Sequence, residues 1–250
     1  MNNSSKPQIE LIPAIDIING QIVRLTQGDY STKKIYGNAP SDFAQQIEEL
    51  GYKRIHIVDL EGAKCNQIVN HAVLESIANK TKLVIDFGGG LKSKESVKEA
   101  FDCGAHYVTL GSIAAKNPEL SQDIISQFGA DRIILGADTL NNNIRINGWQ
   151  ENANINVFDF IKEYTHLGVK KILCTDISKD GMLKGPSIDL YKEIMKEFPQ
   201  INLIASGGIS SINDIQMLED FRIPSVVFGK AIYENKINLK DLAVWAKLSE

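Results

Sequence analysis

The stretch FGGGLKS, Phe87 to Ser93, returns 118 residues later as ASGGISS, Ala205 to Ser211. Each copy follows a short apolar run and precedes an amphipathic stretch, so each reads as a turn from strand to helix. The likeness extends outward from both. HYVTLGSIA, ending at Ala114, matches SVVFGKAIY, ending at Tyr233, and places Gly111 and Gly229 again 118 apart. GYKRIHIVDLEG from Gly51 matches GVKKILCTDISK from Gly168 at an offset of 117, with Asp59 and Asp176 in register. IPAIDIINGQIVRL from Ile12 matches ILGADTLNNNIRIN from Ile134 at an offset of 122, aligning Asp16 with Asp138. A period this long is no solenoid. It describes one domain made of two equivalent halves.

The apolar runs ELIPAI, RIHIVD, KLVIDF, HYVTLG, RIILGA, KILCTD, NLIASG and SVVFG are short and rich in Val and Ile, as buried parallel strands are. Helical patterns alternate with them: SDFAQQIEELG, with Ser41 as its expected cap, then NHAVLESIANK, SKESVKEAFDCG, NPELSQDIISQFG, VFDFIKEYTHLG, SIDLYKEIMKEFP and SINDIQMLEDF. Several end in Gly, a common helix terminator. Eight strand–helix units in 250 residues have the size and rhythm of a (β/α)8 barrel. A doubly wound open sheet is the alternative, but two halves of four units favour closure. The expected layout is a disordered tail over residues 1–8 and a single barrel domain over 9–250.

Composition narrows the function. A net charge of −4 offers no general basic field for nucleic acid or anionic membrane, so an anionic ligand must be held by local groups. Cys65, Cys103 and Cys174 are too few and too scattered for a disulfide or zinc pattern and read as bystander thiols. The polar start, MNNSSKPQ, lacks an apolar signal core, and no apolar run approaches a membrane span of ~20 residues. A cytoplasmic protein is expected.

Barrel chemistry collects where strands end. Glycine lets the backbone approach an anion, and a following helix start supplies free N–H groups. Ser206, Gly207 and Gly208 after strand 7, with Gly229 and Lys230 after strand 8, form one expected phosphate site. Gly89, Gly90, Gly111 and Ser112 form its counterpart after strands 3 and 4. Two such sites across one mouth predict a ligand with a phosphate at each end. Asp16 and Asp138 end opposite strands, 1 and 5, where they can act as acid and base on the ligand's middle. Thr175 is placed to orient a carboxylate or meet a hydroxyl. Asp59 is equally well read as an internal ion-pair partner, Trp149 as a stacking residue or a rim packer, and QGDYSTKKIYGNAP as a lid or binding loop.

These residues bring the chain close to a known family. PAIDIINGQIVRLTQGDY, HIVDLEGA, DFGGGLKS, LGSIAAKNP, GADTL, INGW, CTDISKDGMLKGP, ASGGIS and FGKAIY, from about Glu10 to Trp245, resemble the HisA-type isomerases of histidine biosynthesis. The resemblance implies a duplicated half-barrel that carries out an Amadori rearrangement of a bisphosphate aminoaldose, without metal or redox cofactor. It implies Asp16 as general base, Asp138 as general acid and Thr175 as supporting hydroxyl, with Arg24, Trp149 and Asp180 contacting substrate. Two departures stand out. Met182 replaces the threonine of the family's Asp-Gly-Thr, and Lys92 replaces a frequent arginine, keeping the charge but not the bidentate fork. The sister cyclase of the pathway usually reads VVKG where this chain has VRLTQG, and it lacks the Gly-Trp. A dual isomerase acting also on phosphoribosylanthranilate is a rival, and so is a non-catalytic phosphosugar-binding barrel, although the latter has no need of opposed aspartates. A monomer is expected.

Overall fold

The computed structural model describes residues 9–26, 28–37 and 39–248; the tail expected over residues 1–8 lies outside the described residues. Its strands are β1 (Glu10–Ile18), β2 (Gln21–Thr26), β3 (Asp29–Ile35), β4 (Arg54–Asp59), β5 (Val84–Gly88), β6 (Tyr107–Leu110), β7 (Ile133–Leu140), β8 (Asn143–Ile146), β9 (Glu151–Asn156), β10 (Lys171–Asp176), β11 (Asn202–Ser206) and β12 (Ser225–Phe228). The helices are α1 (Pro40–Glu49), α2 (Leu60–Cys65), α3 (His71–Lys80), α4 (Lys94–Asp102), α5 (Ser112–Lys116), α6 (Pro118–Phe128), α7 (Val157–His166), α8 (Ile188–Glu197), α9 (Ile212–Asp220), α10 (Lys230–Tyr233) and α11 (Leu239–Trp245).

All eight apolar runs are strands, and they close on themselves. β1, β4, β5, β6, β7, β10, β11 and β12 pair in parallel in that order. Glu10 and Leu11 then meet Ser225 and Val226 to join β12 back to β1. Closure removes the exposed edges an open sheet would leave. The fold is a (β/α)8 barrel, and the open-sheet alternative is excluded by the β12–β1 ladder. Because both faces of each strand are covered, the runs are apolar almost throughout. One large apolar cluster fills the space between sheet and helices. A smaller one, Ile12, Ala14, Ile134, Leu173, Ile204 and Val227, fills the barrel interior. No helix of the described residues is long and apolar enough to cross a membrane.

The regions after β1 and β7, expected to be loops, form antiparallel hairpins instead. β1 runs into β2 with Asp16 opposite Val23, and β3 follows. β7 runs into β8 with Thr139 opposite Ile144, and β9 follows. The turns are Asn19–Gly20 and Asn141–Asn142, all at positive φ, the geometry of a tight hairpin turn. The Asn-Gly pair between apolar residues was the readable signal. The helix after β3 also starts differently: Ala39 is its N-cap, Pro40 opens it and Ser41 lies inside. Proline's fixed φ suits the first helical position, so the helix begins two residues sooner than a Ser41 cap would give. Cys103 and Cys174 are buried, while Cys65 is exposed.

Candidate active site

The two glycine turns are the same object built twice. Gly89 and Gly90 take φ of +98° and +75°, and Gly207 and Gly208 take +98° and +84°, values open to glycine and strained for other residues. A Cβ on Gly89 would lie 2.2 Å from the Asp59 carbonyl oxygen, and one on Gly207 would lie 3.0 Å from that of Asp176. A Cβ on Gly90 would meet the Gln67 carbonyl at 2.3 Å, and one on Gly208 that of Gly185 at 2.2 Å. In each half, the loop from the preceding strand passes directly over the turn. That is why each turn needs two glycines. Ser93 and Ser211 then cap α4 and α9 through matching capping boxes.

The carboxylates Asp59 and Asp176 hold those overpassing loops in place. Asp59 is buried and accepts from the backbone N–H of Gly62, Val69 and Asn70, each at 2.8 Å, and from Asn70 Nδ2 at 2.7 Å. Asp176 accepts from Ser178 N–H at 2.9 Å, from Ser178 Oγ at 2.7 Å and from Ser187 Oγ. Among the described residues Asp59 has no ion-pair partner; it is a loop anchor.

One cavity of about 300 Å³ opens at the C-terminal ends of the strands, and both glycine turns line it. So do the acid–base candidates Asp16, Asp138 and Thr175, the hairpin residues Arg24 and Trp149, and Asp180. Ser206, Gly229, Lys230, Gly111 and Ser112 complete the set expected from the sequence. The β1–β2 hairpin carries Arg24 back over the barrel mouth. Its Nη1 donates to Asp16 Oδ2 at 2.8 Å, and Nη2 donates to the Ala14 carbonyl. Burial works against the guanidinium's charge, but the charges of Asp16, Tyr233 and Asp180 outweigh it and hold Arg24 above its ordinary pKa. A Cβ on Gly229 would fall 1.6 Å from Arg24 Nη2. Gly229 is therefore the floor on which Arg24 rests.

On the other side, Trp149 donates from Nε1 to Asp138 Oδ2 at 2.8 Å. The hydrogen bond ties the indole edge to the carboxylate, beyond the stacking or rim packing that its sequence position suggested. Burial raises the Asp138 pKa, while hydrogen bonds from Trp149 and Thr175 pull it down less strongly. Thr175 stands beside Asp138 in the β10–β7 ladder. Asp180 is pushed up to about 6, first by burial and then by the charge of Asp16, with Arg24 and Lys230 pulling the other way. Ser112 Oγ accepts from Asn147 N–H at 3.0 Å, tying the phosphate-side helix α5 to the second hairpin. Lys230 Nζ donates to Thr26 Oγ1 at 3.0 Å and ties α10 to the first. Lys92 also lines the cavity. Burial, then the nearby Lys116, depress its pKa. Sequence reasoning passed over His56, which lines the cavity too. Its signal was the inward alternation of Arg54, His56 and Val58 along β4.

Known proteins resemble this chain along nearly its whole length. A family model described as histidine biosynthesis protein matches residues 10–238. A protein of Phocaeicola vulgatus, named 1-(5-phosphoribosyl)-5-((5-phosphoribosylamino)methylideneamino)imidazole-4-carboxamide isomerase, is 57% identical over 94% of this chain and 98% of its own length. Proteins of the same name from Azobacteroides pseudotrichonymphae and Flavobacterium psychrophilum are 56% and 50% identical, covering 95% and 94% of this chain and 99% and 97% of their own lengths.

Proposed function

The chain belongs to the histidine biosynthesis protein family and is an isomerase of that pathway; we propose that it converts the bisphosphate aminoaldose named by its relatives into the corresponding aminoketose by acid–base catalysis. The observation that carries this reading is that two part-buried carboxylates, Asp16 and Asp138, line one cavity together with two symmetric glycine cradles. The cradles take the terminal phosphates through backbone N–H groups, with Lys230 and Lys92 supplying positive charge. Tethering both ends sets the reacting carbons between the carboxylates, the kind of positioning that accounts for much of an enzyme's rate.

In the reaction, the acid gives its proton to the ribose ring oxygen and the C1′–O bond breaks. The nitrogen lone pair forms a C1′=N iminium. Asp16 then removes the C2′ proton, and its electrons move to give an enolamine. Loss of the C2′ hydroxyl proton and protonation at C1′ leave the aminoketose. No net oxidation occurs, so no redox cofactor is called for. Asp16 is the base, held by Arg24. Asp138, whose proton is favoured by burial, is the acid, and Thr175 aligns it.

A specific observation supports a second assignment of the acid. The Asp138 carboxylate is already engaged by Trp149, whereas Asp180 titrates near 6 beside Asp16. Asp16→Asn, Asp138→Asn and Asp180→Asn separate the roles. On the first assignment, turnover of the aminoaldose falls by about 10³-fold or more in Asp16→Asn and Asp138→Asn, a general acid or base being worth 10²–10⁴. Binding of the ketose product stays within a few fold. Near-normal turnover in Asp138→Asn with collapse in Asp180→Asn transfers the acid to Asp180. Phosphoribosylanthranilate, run in parallel, tests the dual-isomerase alternative.

A further inference from the structure

The two halves of the barrel differ where symmetry would have them agree. Directly beneath the cavity, β4, β5 and β6 point His56, Asp86 and Thr109 inward. At the offsets of 117 and 118 that align the halves, their counterparts are Leu173, Ile204 and Val227. All three counterparts belong to the apolar cluster that fills the barrel interior. The fold thus packs this layer with hydrocarbon in one half and has no intrinsic need of polar groups in the other.

The polar version carries a heavy cost. Asp86 is fully buried, and burying a carboxylate costs several kcal/mol unless partners offset it. Three partners surround it. Thr109 Oγ1 donates to Oδ1 at 2.7 Å, Arg54 Nη2 donates to Oδ2 at 3.2 Å, and His56 Nδ1 stands 2.9 Å from Oδ2. Although burial works against the charge, His56 and then Arg54 and Thr109 hold Asp86 below its ordinary value. Arg54 is also engaged by Glu10 at 3.2 Å and lies over the Tyr107 ring. His56 and Thr109 both reach the cavity, and His56 acts electrostatically on Asp138. With Nδ1 turned to Asp86, Nε2 is the ring's remaining polar atom for a ligand. The Nδ1 contact is close but not aligned as a hydrogen bond.

We propose that Asp86 is a positioning residue for the reaction: anchored by Thr109 and Arg54, it holds the His56 ring in place on the cavity floor, against the middle of the bound substrate. The inference rests on the function proposed above. Apolar replacement of a buried polar cluster is often neutral or stabilising, so fold and function can be separated by making the first half copy the second. The variant is His56→Leu, Asp86→Ile and Thr109→Val together, with Asp86→Asn as the single, isosteric test and Asp86→Glu as the conservative one.

Each protein is melted, assayed for kcat and KM with the aminoaldose, and examined by ¹⁵N NMR of the His56 ring where His56 is present. The triple variant leaves Arg54 with Glu10 and the Tyr107 ring, so it should melt below the parent by the loss of the Arg54–Asp86 pair, and it should lose about 100-fold in kcat, the scale of a misplacement near 1 Å. Asp86→Asn should lose about tenfold or more in kcat with a smaller change in KM, and should shift the His56 ring nitrogens. Asp86→Glu should recover part of the loss. A folded triple variant or Asp86→Asn protein with parental kcat and KM overturns the proposal; should the triple variant not fold, Asp86→Asn decides alone. If the parent itself does not turn over the aminoaldose, the proposed function fails. Calorimetric binding of that compound then judges the trio, with parental affinity in Asp86→Asn refuting it and a clear loss supporting it.

Discussion

Gly229→Ala is a single added methyl aimed at one side chain. The glycine has a φ of −141°, so the sign of φ does not bar alanine. What the methyl meets is the Arg24 guanidinium, with Nη2 at 1.6 Å, Cζ at 2.2 Å and Nε at 2.9 Å. Contacts under 3 Å cannot persist, and a long arginine yields before backbone does. Arg24 must then leave Asp16, 2.8 Å away, and the Ala14 carbonyl. The pair is only 11% and 17% exposed, so the loss exceeds that of a surface pair. Charge-assisted hydrogen bonds contribute about 1.5–3 kcal/mol each, and residual solvent access places the expected destabilisation near ~2 kcal/mol. For a chain of this size that lowers Tm by roughly 4–8 °C. Turnover should fall about 100-fold, because the proposed base loses its partner and alignment.

The assay is a double-mutant cycle. Gly229→Ala, Arg24→Met and the double variant are compared by thermal melting and by turnover of the aminoaldose. If the methyl acts through Arg24, the double variant is no worse than Arg24→Met, and the coupling energy is on the order of 1–2 kcal/mol. Strict additivity of the two single effects would refute the reasoning, as would a Gly229→Ala protein with unchanged Tm and turnover. Gly229 would then be acting on its own, at the phosphate.

Two further outcomes follow from the same geometry. Asp180 titrates near 6 when folded and near 3.9 when unfolded; because the folded value is the higher one, its contribution to stability is present below about pH 4 and is lost as pH rises through 6. Asp180→Asn should therefore raise Tm relative to the parent at pH 8, by up to ~3 kcal/mol in stability, and make no difference at pH 4; equal effects at both pH values would contradict the assignment. Gly89→Ala and Gly208→Ala each drive a Cβ to 2.2 Å from a backbone carbonyl oxygen at positive φ, so each should cost more than 3 kcal/mol and yield little folded protein, whereas Gly111→Ala, whose Cβ meets nothing within 4 Å, should fold normally.

Much of the architecture was legible because barrel strands are buried on both faces. That burial makes them short, continuous apolar runs, and all eight were visible. The repeat offsets added the order of the halves, since equivalent turns need equivalent glycines. The hairpins after β1 and β7 were harder to see. Their strands are polar on the outside, and Asp29–Ile35 and Glu151–Asn156 are largely exposed, so they lack the apolar signature on which strand reading depends. Asp59 was ambiguous for a related reason. Its four donors come from Gly62 to Asn70, and backbone donors leave no mark on side-chain identity.

The sequence by itself determined the eight barrel strands, the correspondence of Asp16 with Asp138 and the two glycine turns, because periodicity and repetition are properties of order along the chain. Only the tertiary structure decided what each group faces. It placed Arg24 on Asp16, Trp149 on Asp138 and Asp86 under His56. It also showed that Gly229 makes room for an arginine 205 positions away in the chain. The first two contacts lie within hairpins and the third between neighbouring strands, whereas Gly229 and Arg24 meet only once β12 has closed on β1. The protonation states that the chemistry depends on follow from burial and from charges brought close in space, and neither is written in the spacing of residues.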